Sequence, residues 1–144
     1  MIDRLRLTLD RDTDGTGGLV AEASSSGFSG VGMAWFNLSQ IAAFGELLAN
    51  TYPLAIDGSY KLQGGIWTME TPSTLSKLKL GLQFYPVGAL GVVGCRAHLT
   101  SDDQPDGVAT HSAVIELRTH YEQLRNFGIA VSALAEGKVD EAVL

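Results

Sequence analysis

Residues 31–48, VGMAWFNLSQIAAFGELL, change their period midway, and that change decides the fold. Val31, Met33 and Trp35 alternate with Gly32 and Ala34, and Gly30 precedes them, the period-2 pattern of a strand whose one face carries only small residues. Glycines in such a run point to a bulge, or to another backbone packed close against that face. At Asn37 the pattern switches. Asn37 is a favoured N-cap residue, Gln40 stands three positions on, and Phe36 and Ile41 occupy the two positions of a hydrophobic staple. Leu38, Ile41, Ala42, Gly45 and Leu48 then recur at helical spacing, with Phe44 and Leu47 widening the stripe, so the spacing predicts a helix that ends near Asn50, before Pro53.

Working toward the N-terminus, Leu5, Leu7 and Leu9 alternate with Arg4, Arg6 and Thr8, which makes Ile2–Leu9 a half-buried strand. The polar loop Asp10–Gly18 joins it to a second extended stretch, Leu19–Ser24, as a hairpin. Toward the C-terminus, Tyr60–Met69 reads as a strand bulged at Gly64-Gly65. The clearest strand of all is Leu78–Tyr85, where Leu78, Leu80, Leu82 and Phe84 alternate with Lys77, Lys79, Gly81 and Gln83. Leu90–Leu99 and Val108–Leu117 follow through short connections, so these three are expected to run antiparallel in succession. Thr119 with Glu122 forms the capping box of a last helix, whose buried stripe is Leu124, Phe127, Gly128, Val131, Leu134 and Ala135 and whose closing glycine is Gly137. The tail Lys138–Leu144 is left to a short turn or to fraying. The expectation is one α+β domain over residues 1–144: an antiparallel sheet of about six or seven strands with two amphipathic helices on one face.

Composition narrows the function. A single cysteine excludes an internal disulfide and a cysteine cage for zinc. Ten Lys and Arg against 16 Asp and Glu leave a formal charge of −6, with the basic residues scattered along the chain, which argues against a nucleic-acid footprint. No apolar stretch nears the ~18 residues of a membrane span, and no leader precedes the first strand, so the expected setting is the cytoplasm.

Among motifs, Asp10-Arg11-Asp12-Thr13-Asp14-Gly15 resembles a calcium loop in placing carboxylates at alternate positions before a glycine. The bidentate Glu of such a loop is missing, because its position is Ala21, and the flanks read as strands; a charged hairpin turn is the better reading, with Asp10, Asp12 and Asp14 kept as a weak metal candidate. His98, His111 and His120 show no ligand spacing on a single element, and no catalytic residue is assigned. Cys95 lies between Gly94 and Arg96 on the face of Val93 and Ala97, as a buried thiol would. Ser24-Ser25-Ser26 lacks the elbow of a nucleophilic serine, and none of the glycine runs leads into a helix as a phosphate loop must. No cofactor is expected. What remains is surface: Trp67, Tyr60, Tyr85 and Tyr121 as amphipathic anchors, rimmed by two acidic loops, Asp10–Asp14 and a second one with Asp102, Asp103 and Asp106, a combination suited to a basic protein partner.

The order of elements is similar to that of small bacterial immunity-type proteins, which pair with polymorphic toxins. The similarity lies in Trp35-Phe36-Asn37-Leu38 through Leu48, the strand doublet Leu78–Tyr85 and Leu90–Leu99, and Val114–Leu117 running into Thr119-His120-Tyr121-Glu122-Gln123-Leu124. It implies a non-enzymatic protein that occludes a partner's active site, and an acidic surface fits a partner that normally grips nucleic acid. The reading adopted is a protein-binding module of this kind, with a homodimer through an exposed edge strand as a further expectation. The alternative is a small-ligand or metal-binding domain, or an enzyme using His98 or His111 in a cleft.

Overall fold

A computed structural model describes residues 3–56, 60–101 and 111–144. Strands β1 (Arg4–Arg11), β2 (Thr16–Ser25) and β3 (Phe28–Asn37) lead into helix α1 (Leu38–Asn50); β4 (Lys61–Trp67), β5 (Leu75–Val87), β6 (Val92–Thr100) and β7 (Ser112–His120) lead into α2 (Tyr121–Ala135), and a two-residue strand β8 (Ala142–Val143) closes the chain. The expected single sheet is two. One sheet has the order β3-β2-β1-β8, the other β4-β5-β6-β7, and every pairing is antiparallel.

The side chains explain why the strands stack in two layers instead of extending one. On the inner face of the first sheet, Leu5, Leu7 and Leu9 of β1 stand opposite Ala23, Ala21 and Leu19 of β2. These in turn stand opposite Gly30, Gly32 and Ala34 of β3. Side-chain size falls from leucine to glycine across the sheet, so the second sheet comes closest at β3. A Cβ on Gly32 would lie 2.9 Å from the Lys79 carbonyl oxygen and 3.1 Å from the Leu99 Cα, and one on Gly64 would meet the Phe36 ring at 2.6 Å. Along its length β3 passes over β4, β5, β6 and β7. The layers are thus tightest at β3 and wider toward β1.

The two helices fill the wider side. Helix α1 touches β3 and β4, while α2 touches β1, β6, β7 and β8, so each bridges both sheets. Phe84 of β5 stands between Phe44 of α1 and Phe127 of α2, with ring centroids 6.1 and 6.0 Å away. The helices run antiparallel and meet backbone to backbone: a Cβ on Gly45 would lie 2.6 Å from the Gly128 carbonyl oxygen, and one on Gly128 would lie 2.6 Å from the Ala49 amide nitrogen. The Ser132 hydroxyl donates to the Ala42 carbonyl across the same seam at 3.0 Å. At its far end Tyr52 and Tyr121 meet edge to face, centroids 4.7 Å apart.

Helix ends follow the local chemistry with one correction. Asn37 caps α1, and the Gln40 side chain accepts the Asn37 amide at 2.9 Å. The cap of α2 is His120, one residue beyond the expected Thr119, because β7 keeps Thr119 as its last buried inward residue. The Thr119 hydroxyl donates to Gln123 at 2.7 Å, and Glu122 sits in the first turn near the positive end of the helix. Gly137, at φ +76°, ends α2 as expected: its amide donates to Leu134 and the Lys138 amide to Ala133. The tail does not fray. Ala142 and Val143 pair with Leu7 and Arg6 of β1, burying Ala142.

Alanine normally stabilises a helix interior relative to glycine by about 1 kcal/mol. At Gly128 the added methyl would press on the α1 backbone and the Leu48 Cβ, so Gly128→Ala is expected to destabilise by about 1–3 kcal/mol. A lowered urea midpoint at unchanged m-value checks it.

Candidate functional site

The acidic turn between β1 and β2 is built by its own side chains. The Asp12 carboxylate accepts the Thr13 amide at 2.7 Å, and the Asp14 carboxylate accepts the Thr16 amide at 3.0 Å and the Thr16 hydroxyl at 2.6 Å. Gly15 supplies the positive φ of +87° that the turn requires. The Thr16 hydroxyl, followed by the Thr16 amide, holds the Asp14 carboxyl below the ordinary carboxylate range. These contacts close the turn between β1 and β2; among the described residues no group of three His, Cys, Asp or Glu side chains is placed to hold a metal ion. Two further contacts give the turn a structural task. The Gly15 carbonyl accepts the Leu38 amide at 2.9 Å, at the start of α1. The Arg11 guanidinium donates to the Ala135 carbonyl at 2.5 Å, at the end of α2.

Beside this turn the outer face of β3 emerges. Because Gly30, Gly32 and Ala34 point inward, Val31, Met33 and Trp35 point out. Trp35 is 51% exposed, with its ring lying over Gly18 of β2. Asp12, Asp14, Thr16, Trp35, Asn37 and Gln40 line an open hollow of about 450 Å³. An indole face flanked by two carboxylates attracts cations twice over, through the ring quadrupole and through charge. The sequence reading missed Trp35 as an anchor. The signal was present, since a glycine-and-alanine face that packs inward must turn the tryptophan on the other face to solvent.

The outer face of the second sheet has a different character. Strand register places Gln83, Arg96 and Glu116 in one row and Tyr85, Gly94 and Arg118 in the next, while Lys61 of β4 stands opposite Gln83. The Tyr85 ring covers the bare backbone of Gly94 and its hydroxyl donates to Glu116. Arg96 donates to the other Glu116 oxygen at 2.5 Å and lies 5.4 Å from the Tyr85 ring centroid. Partial burial alone pushes the Glu116 carboxyl up; the Tyr85 hydroxyl and the Arg96 guanidinium outweigh it, leaving the group below the ordinary carboxylate value. Burial, then Glu116, pushes the Tyr85 hydroxyl up. Basic residues that look scattered in the sequence are gathered here by the two-residue period of the strands.

The other expected residues fall as follows. Tyr60 is only 7% exposed, its hydroxyl accepting the Ala55 amide at 2.9 Å, so it is a core residue and presents nothing to a partner. Tyr121 is half-buried, with its hydroxyl accepting the Leu54 amide. Trp67 is half exposed at the end of β4 and does not line the hollow beside the acidic turn, and Tyr85 lies within the network described above. Asp102, Asp103 and Asp106 lie outside the described residues. His98 stands on the outer face of the second sheet opposite Gly81 and Val114. His111 precedes β7, its amide donating to the Ser101 hydroxyl at 2.8 Å. Cys95 is fully buried, and burial, followed by the charge of Glu116, raises its thiol pKa well above the ordinary value. Among the described residues no helix is long and apolar enough to cross a membrane.

No family model matches this chain, and comparison with curated proteins and with solved structures finds no match either.

With one oxygen of Asp12 and one of Asp14 engaged inside the turn, and no third carboxylate or histidine grouped with them among the described residues, millimolar calcium is expected to leave the melting temperature unchanged; a rise on titration would give these carboxylates a metal. Glu116, whose folded pKa is depressed, contributes stability that is present above its unfolded pKa and is lost as pH falls through the folded value. Glu116→Gln is therefore expected to cost under about 1 kcal/mol at pH 7, since the pair is solvent-screened, and to cost progressively less in denaturation curves recorded below pH 4.5, the ordinary carboxyl value.

Proposed function

We propose that this chain is a protein-binding module that captures a basic partner without transforming it, acting as an immunity-type inhibitor of a toxin domain. The observation that carries the reading is Trp35: a large aromatic, half exposed, on rigid strand backbone, beside the carboxylates of Asp12 and Asp14. Tryptophan is among the residues most enriched at the energetic centre of protein interfaces, where it contributes area at small entropic cost. Its neighbours supply the polar rim, and a net charge of −6 raises the encounter rate with a positively charged partner. A partner that grips nucleic acid carries lysines and arginines around its active site. One of them, laid against the indole between the two carboxylates, would be desolvated and held, covering that site.

The supporting contacts are preorganised. Trp35 rests on Gly18, and the turn carrying Asp12 and Asp14 is fixed by its own hydrogen bonds and by both helix ends, so little conformational entropy remains to be lost on binding.

The test is co-expression with the product of the adjoining reading frame in the genome that encodes this chain. The expected result is a complex that survives gel filtration and relief of that product's toxicity. Trp35→Ala is expected to weaken the complex by about tenfold or more while moving the melting temperature of the free chain by less than about 2 °C. Absence of both complex and protection overturns the reading, and so does a Trp35→Ala chain that binds as the parent does.

A further inference from the structure

We propose that the hollow beside Trp35 selects arginine, so that the partner group seated on the indole is a guanidinium and neither a lysine ammonium nor a methylated amine. The assignment rests on the partner-binding reading above and names the group that this site takes.

The indole is a fixed, flat floor. Register sets Asp10, Gly18 and Trp35 in one row across β1, β2 and β3, and Gly18 leaves room for the Trp35 ring to lie on the sheet, 3.5 and 3.6 Å from the point where a Cβ would stand. One ring face is taken by that contact. With 51% of the residue exposed, the opposite face is open.

The charge beside the ring has a single sign. Asp12 and Asp14 line the hollow, and no Lys or Arg among the described residues does. Arg11, the basic residue nearest in sequence, is drawn away to the Ala135 carbonyl at the end of α2. One oxygen of Asp12 holds the Thr13 amide, and one of Asp14 holds the Thr16 amide and hydroxyl. Among the described residues nothing else donates to either carboxylate, so each keeps its second oxygen for a donor from outside the turn.

These features separate the candidate cations. A guanidinium is planar and weakly hydrated, so it stacks on an indole while the N–H groups along its edge reach two oxygens at once. An ammonium is a strongly hydrated point charge that must shed more water to reach the same place. A methylated amine is held by aromatic walls on several sides. Here the second ring at the hollow is Phe36, and at 4% exposure it is no wall. Met33 and the exposed Val31 continue the outer face of β3 from Trp35, offering apolar surface to the segment that carries the arginine.

The experiment titrates the isotope-labelled full chain with short capped glycine peptides that carry one arginine, lysine, trimethyl-lysine or dimethyl-arginine. It is followed at the indole N–H signals of the two tryptophans. Trp67 does not line the hollow and is the control. The Trp35 signal is expected to move with the arginine peptide at an affinity about fivefold or more above that of the lysine peptide. Dimethyl-arginine, which keeps its charge but loses N–H donors, is expected to bind more weakly than arginine. Asp12→Asn combined with Asp14→Asn leaves an oxygen for each hydrogen bond of the turn and is expected to lower the arginine affinity about tenfold. If that variant fails to fold, the peptide series on the parent chain decides alone. Binding of the lysine or trimethyl-lysine peptide as tight as that of arginine overturns the proposal, and so does a Trp35 signal that none of the peptides moves. The two failures separate: a co-expressed product bound through Trp35, with no preference among the peptides, leaves the capture reading standing without the arginine, and a preference with no complex does the reverse.

Discussion

Backbone pressed against backbone is the constraint on which this structure depends. It occurs twice, where Gly32 of β3 lies against Lys79 and Leu99, and where Gly45 of α1 lies against Gly128 of α2. At both places a side chain as small as a methyl would hold the layers apart. The first contact turns what would be a seven-strand sheet into two stacked ones, and the second lets two helices share the space left on the wider side. Dispersion grows steeply at short range, and a dry seam of this kind gains packing that longer side chains would have to supply through ordered rotamers. The cost is the backbone entropy of glycine in regular structure, which the surrounding leucines and phenylalanines offset by their burial.

The local elements were legible because their signals are local. Period-2 alternation placed the strands, the glycine pair placed the bulge in β4, and Asn37 with Gln40 placed the start of α1. The layer arrangement was not legible, since nothing along the chain states whether β3 continues beside β4 or crosses over it; the decision depends on the inner face of β3 meeting a sheet that is distant in sequence. For the same reason β8 was missed. Two residues carry no periodicity, and Ala142 is a strand residue only because β1 has a free edge at Leu7. Thr119 satisfied the capping pattern but was already committed to β7 by its inward direction.

The candidate site divides the same way. Tyr60 and Trp35 have similar aromatic credentials in the sequence, and only the tertiary fold buries one and turns the other out. The acidic turn was visible from composition. Its neighbour was not, because β3 reaches it through the sheet. The charges of the second sheet show the reverse case: lysine and arginine spaced far apart along the chain share one outward face once strand register brings Lys61, Arg96 and Arg118 onto the side that carries Glu116.

The β1–β2 turn holds the first amide of α1 through Gly15 and the last carbonyl of α2 through Arg11, so a single hairpin clasps the start of one helix and the end of the other. The two grips differ in kind: the one on α1 is made by turn backbone at Gly15, and the one on α2 by a side chain rooted in β1, so a longer turn would loosen the first and leave the second in place.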